Sequence, residues 1–536
     1  MEDVGEVAFA AEVRAAHAVA RIDSVAHECA LALAGLARRR MQADAVVPDV
    51  DRRRARRDGR LGNVLHGAGT IEAVMRTGDD TPARVPAREP EGLQRALHLL
   101  QRFAFGPEPQ ELAALLVRGE DAWLHDRLGA LDAGERAALG VAEALLFENN
   151  EYWAVRGALR HLLRTDDPVS ARLSLWVQNH LSTWIGKVGG PAEWYEYTAF
   201  TRLGAAPFGE HLATSFTSPA MLYYLDQPRS TALALNENYA RELLELHTLG
   251  VDQGYTQHDV TELAGLLAGV TLSEEAPPAG TGPYSSLQFR YAPDLSDGRA
   301  RTLLGLAFEA AAPHQRWDRV QLAREVLAAH PDTAHFVARK LAEHYASVPA
   351  PDELVDAVAP RLLESGGELS AALYAIAEHP AFWEARDEPR LASPLDYGLR
   401  VLRVAGRTEI DWALQNFLER AGMGLFDHST PDGYPEEDEA WADSNGLMQR
   451  WSLLDEAAWV VNEFLPPGLH RAVGGDAAAW HQRLIDQAAL RLNGRLLGEA
   501  SNRAALDYLA ASELPTWELV NAAGVLVARL PESNLK

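Results

Sequence analysis

The fold class is decided by the stretch Asn236-Glu-Asn-Tyr-Ala-Arg-Glu-Leu-Leu-Glu-Leu-His-Thr-Leu-Gly250. Asparagine is a favoured residue at the start of a helix, and glycine is favoured just after its end. After a short turn, Thr256-Gln-His-Asp259 has the spacing of a capping box, which opens another helix. The two segments therefore predict a hairpin of two helices, and they set the pattern for the rest of the chain.

Most of the 536 residues repeat this helical pattern. Strong helix formers, above all Ala and Leu, fill most windows, whereas runs of Val, Ile and Thr typical of strands are scarce. We therefore predict an all-α fold, a large multi-helix body with at most a short β-hairpin. The only stretch that favours a hairpin is 284–304, and no helix is predicted between 184 and 208.

Three regions differ in composition. Residues 1–44 are predicted to contain an N-terminal helix, with apolar side chains on one face over 7–41. Residues 45–92 hold Arg52-Arg-Arg-Ala-Arg-Arg57 with several glycines and prolines, which is typical of a linker or extended arm. Residues 93–536 are dense in Leu, Trp, Tyr and Phe, and are predicted to form the helical body.

The charge of the chain narrows its possible partners. Lys and Arg number 50 against 76 Asp and Glu, for a net charge of −26. Such a chain is poorly suited to bind nucleic acid or an anionic membrane surface. The one cysteine, Cys29, excludes an internal disulfide. The first residues lack the basic start and apolar core of a signal peptide, so a cytoplasmic location is predicted from the sequence as it is written.

A polar stripe runs along the first quoted helix. Helical spacing places Asn238, Arg241, Glu242 and Glu245 on one face, and His247 on another. One interpretation is a structural network of ion pairs that join Arg241 to glutamates four residues away. The other is a buried chemical or metal site, because leucines surround the stripe and a buried carboxylate needs a cation beside it. On this ground we expect Arg241, Glu242 and Glu245 to be largely buried.

This stretch and several others resemble a known bacterial family, the domain of unknown function 1800. The quoted helix followed by Tyr255-Thr-Gln-His-Asp-Val260 is very similar to the hallmark of that family. Further matches follow in the same order over roughly 95–460: Leu99–Pro107, Asn179-His180, Pro219–Asp226, His335–His344 and Thr430-Pro-Asp-Gly-Tyr-Pro435. The resemblance implies membership, but the family itself carries no assigned function.

The chain departs from the family pattern at one position that bears on chemistry. Where the family usually has His-Asn-His-Phe, this chain has Gln178-Asn179-His180-Leu181. If the paired histidines of the family serve a metal or a proton transfer, the replacement of the first by Gln178 would weaken or abolish that activity here.

Two classes of function are left open by these residues. The first is an enzyme or ligand-binding protein whose site lies between helices, with His180, Arg241, Glu242 and Glu245 as catalytic candidates. A divalent metal would be held by His180, Glu242 and Glu245 in that case. Further candidate binding residues are Asn238, His247, Asp226 and Tyr434. The second class is a helical scaffold that binds a protein partner, in which the same polar residues only stabilise packing.

Overall fold

A computed structural model describes residues 91–128, 151–251, 253–273, 287–407, 409–456, 477–512 and 514–536. The predicted N-terminal helix and residues 45–90 of the predicted arm lie outside these ranges, so both stay predictions. Within the described ranges the chain contains 22 α-helices and four short strands, which confirms the all-α prediction.

The helices follow one another in chain order. They are α1 (Glu91–Phe103), α2 (Pro109–Arg118), α3 (Glu120–Leu128), α4 (Glu151–Arg164), α5 (Pro168–His180), α6 (Ile185–Val188), α7 (Gly190–Leu203), α8 (Phe208–Phe216), α9 (Pro219–Tyr224), α10 (Asn238–Glu242), α11 (Gln257–Leu267), α12 (Arg316–Ala328), α13 (Pro331–Tyr345), α14 (Asp352–Glu364), α15 (Leu369–Glu378), α16 (Pro380–Glu384), α17 (Pro394–Val404), α18 (Asp411–Arg420), α19 (Ser444–Glu456), α20 (Ala477–Asn493), α21 (Glu499–Ala511) and α22 (Thr516–Arg529).

The chain divides into two compact units. Unit 1 consists of the described residues within Met1–His125, Asp396–Thr408 and Leu447–Lys536, and unit 2 of those within Asp126–Leu395 and Glu409–Gly446. In unit 1, α20 packs against α21 and α22. The buried Arg400 donates to the Leu535 carbonyl at 2.6 Å and also to the Ser533 carbonyl, so this guanidinium satisfies backbone groups that follow α22.

Unit 2 holds the residues singled out in the sequence. Its interior is built where α7 packs against α4, α5 and α8, and where α13 packs against α14 and α15. Large apolar side chains such as Phe200, Phe208 and Phe216 are fully buried there. Burial of apolar area on this scale is the main stabilising contribution to a helical body.

The hallmark hairpin forms as predicted, with one departure. The first helix begins as α10 and continues as a π-helical turn over Leu243–Thr248. The Thr248 hydroxyl donates to the Leu243 carbonyl, five residues back, at 2.6 Å. The second helix, α11, begins with the predicted capping box of Thr256 and Asp259. Single π-turns within helices often occur at functional sites, so this departure lies in a stretch where a functional site is expected.

The prediction of a single hairpin over 284–304 is wrong. Two antiparallel pairs form instead, and both are short. Strand β1 (Val270–Ser273) pairs with β2 (Gln288–Tyr291), so that Val270 lies opposite Tyr291. Strand β3 (Arg301–Leu303) pairs with β4 (Leu306–Phe308). The partner of each strand inside 284–304 lies outside that stretch.

The prediction also missed α7, which lies wholly inside the gap between 184 and 208. Its inward face contains Glu193 and Glu196 as well as Tyr197 and Phe200, all buried. The helix therefore lacks the separation of apolar and polar faces by which an amphipathic helix is recognised. Its Gly189-Gly190-Pro191 start resembles a loop, although proline is well tolerated in the first turn of a helix. None of the helices described is long and apolar enough to cross a membrane.

Candidate functional site

His180 ends α5 in the interior of unit 2. Its ring stacks on Trp176 with centroids 5.0 Å apart, which confirms that the two residues share a face. Its Nε2 lies 3.1 Å from the carbonyl oxygen of His247, so Nε2 carries the proton and donates it. Burial, with a smaller contribution from Lys340, lowers the pKa of His180 to about 3. The imidazole is therefore neutral at physiological pH, with Nδ1 as its acceptor atom.

The polar stripe of the hallmark helix forms the predicted ion pairs. Arg241 contacts Glu237 at 3.3 Å and Glu245 at 3.4 Å, each four residues away. The expectation that Arg241, Glu242 and Glu245 are largely buried is wrong, because all three are only half-buried. No hydrogen bond or ion pair among the described residues joins His180 to Glu242 or Glu245.

Glu242 differs from the other glutamates of the stripe. It makes no ion pair within the described residues, and burial together with the neighbouring Glu245 raises its pKa. The guanidinium of Arg241 forms ion pairs with Glu237 and Glu245 instead. Glu242 is thus a carboxyl in an unfavourable electrostatic position at the edge of the interior.

His247 lies in the π-helical turn and is buried. Burial lowers the pKa of its imidazole to about 4, so it is neutral as well. Its backbone carbonyl, near the end of the helix, accepts the hydrogen bond from His180. The hallmark helix and α5 are therefore joined by one histidine side chain and the backbone of another.

Asn238 and Asp226 both lie at the chain reversal that follows α9. The Asn238 amide donates to the Leu225 carbonyl at 3.1 Å, and the Asn236 amide donates to the Asp226 carbonyl at 3.1 Å. Asp226 itself has a left-handed backbone with φ 57°, which is uncommon for a residue other than glycine. Its carboxylate contacts Lys187 at 3.3 Å. These contacts show the hallmark asparagines holding the chain reversal that follows α9.

Tyr434 lies in the loop Thr430–Pro435, which contacts the end of α5. The Asn179 amide donates to the Tyr434 carbonyl at 2.9 Å, and its oxygen accepts from the Tyr434 N–H at 2.7 Å. The Tyr434 hydroxyl donates to the Gly424 carbonyl at 2.8 Å. Two stretches that resemble the family separately, Asn179-His180 and Thr430–Pro435, are thus in direct contact.

The sequence interpretation missed two carboxyls, Glu193 and Glu196, on α7. Both residues are 0% exposed. The hydroxyl oxygen of Thr183 lies 2.7 Å from Glu193 Oε1 and 3.1 Å from Glu196 Oε2, and so bridges the two carboxyls. The Gln178 amide donates to Glu193 Oε2 at 3.3 Å. We call Glu193 and Glu196 the buried carboxyl pair, and Thr183 is the residue that bridges them.

The buried carboxyl pair has no counter-charge among the residues that the structure describes. Neither glutamate makes an ion pair with any described residue, and the groups that contact them are neutral. Burial, and for Glu193 the charge of Glu196, raises the pKa of Glu193 well above its usual value. Burial likewise raises the pKa of Glu196 to about 8. At neutral pH the pair therefore holds at least one proton, which the single Thr183 hydroxyl helps to share.

Charges of both the buried carboxyl pair and the polar stripe act on the phenol of Tyr224. Burial raises the pKa of its phenol to about 12, with further contributions from the charges of Asp432, Glu242 and Glu193. The Tyr224 hydroxyl donates to the Ser429 carbonyl at 2.9 Å, and the Lys187 ammonium donates to the Tyr224 carbonyl at 2.6 Å. The charges of the half-buried Glu242 and the fully buried Glu193 thus both act on one phenol.

A signal for the missed pair was present in the sequence. Glu193 and Glu196 are three residues apart, so any helix over this stretch would place them on one face. The aromatic residues Trp194, Tyr197 and Phe200 between and after them indicate an interior position. The overall pattern of this stretch does not predict a helix, so it gives no ground to place these carboxyls in the core.

The described residues contain no group of three or more His, Cys, Asp and Glu side chains placed to share a metal ion. The metal site predicted on His180, Glu242 and Glu245 stays a prediction. In the structure, His180 contacts the His247 backbone and Glu245 contacts Arg241.

Fold and site together define an all-α protein with two uncompensated carboxyls inside its helical core. The chain belongs to the family described as "Protein of unknown function (DUF1800)", whose model matches residues 98–534. The match confirms the resemblance seen in the sequence and extends it beyond residue 460 to residue 534. No curated protein and no solved structure matches the chain.

Proposed function

We propose that this chain is an enzyme or ligand-binding protein that works through an acid–base site in unit 2, centred on the buried carboxyl pair. The observation that carries the proposal is the complete burial of Glu193 and Glu196 without a cation. Such burial costs several kcal/mol per ionised group, and a protein built only for stability would pair or replace these residues. Perturbed carboxyls of this kind are most common where a group must give or take a proton.

The roles of the residues follow from their protonation. The protonated carboxyl of the pair is a general acid, and its partner, once ionised, is a general base. Thr183 orients both carboxyls, and Gln178 orients Glu193 by its amide. His180, which is neutral and fixed by the His247 carbonyl, positions the end of α5 that carries Gln178.

In this proposal, the residues predicted from the hallmark helix support the buried carboxyl pair from outside it. The charges of Glu242 and Glu193 both act on the phenol of Tyr224, so Glu242 provides a further titratable group that is electrostatically linked to the pair. Arg241 and Glu245 hold each other in place. Asn238, Asp226 and Tyr434 support the backbone around them.

The proposal also covers the origin of the protein and the partners that it binds. The resemblance to a bacterial family supports a bacterial protein, and the net charge of −26 argues against a nucleic-acid partner. The alternative is a non-catalytic scaffold for a protein partner, and the ion pairs of Arg241 support that alternative.

The test compares Glu196→Gln and Glu193→Gln with the parent protein. Infrared spectra at pH 7 should show the C=O band of a protonated carboxyl in the parent, and this band should weaken in each variant. Both amides should also raise the free energy of unfolding at pH 8.5, because they remove a buried group that must ionise or stay protonated at a cost. Asp486→Asn is a control from unit 1, where burial also raises the pKa of an aspartate. A scaffold with fully ionised, stabilising carboxylates would lose stability in both variants and show no such band.

A further inference from the structure

The part of α19 that belongs to unit 1 exposes an apolar face to solvent. Leu447 is 38% exposed, Met448 62% and Trp451 41%. Trp451 lies four residues after Leu447 and three after Met448, so the three side chains are neighbours on the helix surface. Every other α-helix in the described part of the chain carries at most one exposed large hydrophobic side chain. A contiguous group of this kind indicates a surface that binds a partner, whereas single exposed apolar residues are ordinary.

The opposite face of α19 packs into the interior of unit 1. Arg450, Leu453 and Leu454 are buried. The Arg450 guanidinium lies 5.0 Å from the centre of the Tyr397 ring. The helix is therefore held in place by one face, while its outward face has no apolar cover among the residues that the structure describes.

A complementary apolar face is predicted for the N-terminal segment, which lies outside the described ranges. Helical spacing over residues 7–41 would align six apolar residues on one side: Val19, Ile22, Ala26, Cys29, Leu33 and Leu36. A helix in a protein takes most of its stability from the packing of such a face rather than from propensity. The predicted helix therefore needs an apolar surface to pack against.

The connection between this segment and unit 1 permits contact within one chain. Residues 45–90 lead directly into α1, which begins at Glu91 and belongs to unit 1. A chain of that length can extend to about 150 Å. A compact body of about 115 residues is only about 35 Å across. Covalent attachment also keeps the local concentration of the segment far above that of a free partner.

We propose that residues 7–41 dock as a helix, parallel to α19 of the same chain, on the face formed by Leu447, Met448 and Trp451. The docking goes beyond the proposed function and does not rest on it, because it shares no residue with the acid–base site. It commits the exposed face to one occupant, a segment of this chain, rather than to another protein.

Charge sets the parallel orientation. Arg40 lies four residues after Leu36, and Asp455 lies four residues after Trp451. Asp455 contacts Arg529, but 68% of its side chain is exposed. Parallel alignment places Leu36 against Trp451 and Arg40 beside Asp455. It also brings the arginines of the segment to the C-terminal end of α19, where the helix dipole favours positive charge.

Hydrogen exchange of the full chain, followed by mass spectrometry, tests the docking. Amides of residues 19–36 should exchange at least tenfold faster in Trp451→Glu than in the parent protein, because a charge in the apolar contact releases the segment. Met448→Glu should have the same effect. Trp412→Glu is the matched control, since Trp412 is 44% exposed on α18 of unit 2, and it should leave this exchange unchanged. Unchanged exchange in α20 would show that each variant retains its fold.

A disulfide tests the orientation, with Cys29, the one cysteine of the chain, as the probe. In the parallel alignment Cys29 lies opposite Ser444, the first residue of α19. Ser444→Cys should therefore form an intramolecular disulfide under mild oxidation, because facing residues of packed helices come within reach of each other. Ser452→Cys lies on the same face and would meet Cys29 only in the antiparallel alignment, so it should stay reduced.

Three results would overturn the proposal. The first is equal exchange of residues 19–36 in the parent protein and in both α19 variants. The second is a disulfide in Ser452→Cys in place of Ser444→Cys. The third is a disulfide in Ser444→Cys that joins two molecules, which would make the occupant the N-terminal segment of a second copy. Peptide mapping of monomer and dimer bands on non-reducing gels distinguishes these outcomes.

Discussion

The side-chain amide of Asn179 pairs with both backbone polar groups of Tyr434, which lies 255 residues further along the chain. Asn179 comes directly before His180 and directly after Gln178, the residue that donates to the buried Glu193. The loop Thr430–Pro435 is therefore fixed to the same end of α5 that contacts the buried carboxyl pair. We therefore expect a change in this contact to alter the position of Gln178 beside Glu193.

Removal of the amide tests this contact. Asn179→Ala deletes both hydrogen bonds and leaves the Tyr434 N–H and carbonyl to water, so the free energy of unfolding should fall by about 1–3 kcal/mol. Chemical denaturation measures the loss, and limited proteolysis should cut faster within Thr430–Pro435. Asn445→Ala, which removes an exposed hydrogen bond to the Arg420 carbonyl, is the control and should change little. Equal stability of the two variants would contradict the role of Asn179.

Gly433 lies in the same loop, where its backbone comes close to that of Asn179. It has φ +75°, and a Cβ added there would lie 2.2 Å from the backbone oxygen of Asn179. Gly422 has φ +78° with nothing within 4 Å, so it provides a matched control. Gly422→Ala should cost about 1–2 kcal/mol from the left-handed conformation alone. Gly433→Ala should cost clearly more, because a backbone oxygen cannot move aside. Similar melting temperatures for the two variants would show that the loop does not rest on α5.

The buried carboxyl pair predicts how stability depends on pH. The pKa of Glu196 is about 8 in the folded chain, above its ordinary value of 4.5. Its contribution to stability is therefore fully present below pH 4.5 and declines up to about pH 8, because only the unfolded chain releases the proton in that window. Glu196→Gln should remove this decline, by up to about 1.4 kcal/mol per pH unit. Denaturation of both proteins at pH 5.5, 7 and 8.5 measures the difference, and parallel curves would contradict the raised pKa.

His180 predicts the opposite dependence. Its pKa is lowered to about 3, so its contribution is present above pH 6.5 and is lost as the pH falls through the folded value. His180→Phe keeps an aromatic ring against Trp176 but removes the titrating group, and should flatten the stability curve between pH 6.5 and 4. His335→Phe changes a half-exposed histidine on α13 and is the control. If acid destabilises His180→Phe as steeply as the parent protein, the imidazole is not held neutral.

Glu242 and Glu245 separate the two interpretations of the polar stripe. Glu245→Gln breaks the partly exposed pair with Arg241 and should cost about 0.3–0.5 kcal/mol at low salt. Glu242→Gln removes a carboxyl that its neighbours repel, so stability at pH 7.5 should stay equal or increase. Differential scanning calorimetry of both variants in low and high salt checks this. A large loss in Glu242→Gln would show that this carboxyl has a stabilising partner.

The sequence by itself determined the helical nature of this chain and the local contacts of its hallmark. Capping residues such as Thr256 and Asp259, and ion pairs such as Arg241 with Glu245, join residues within one or two turns. Their geometry follows from helical spacing, so a sequence interpretation can place them. The same is true of Trp176 and His180, which share a face because they lie four residues apart.

Only the tertiary structure decided which groups meet in the interior. Asn179 and Tyr434 are distant in sequence, and the burial of Glu193 and Glu196 depends on how α7 packs against α4, α5 and α8. A charged residue in a sequence predicts exposure, because burial of an ion is costly. Where a folded chain bears that cost, as at this carboxyl pair, local pattern predicts the wrong environment. The desolvation that raises these pKa values arises from side chains of several helices, and no stretch of sequence contains it.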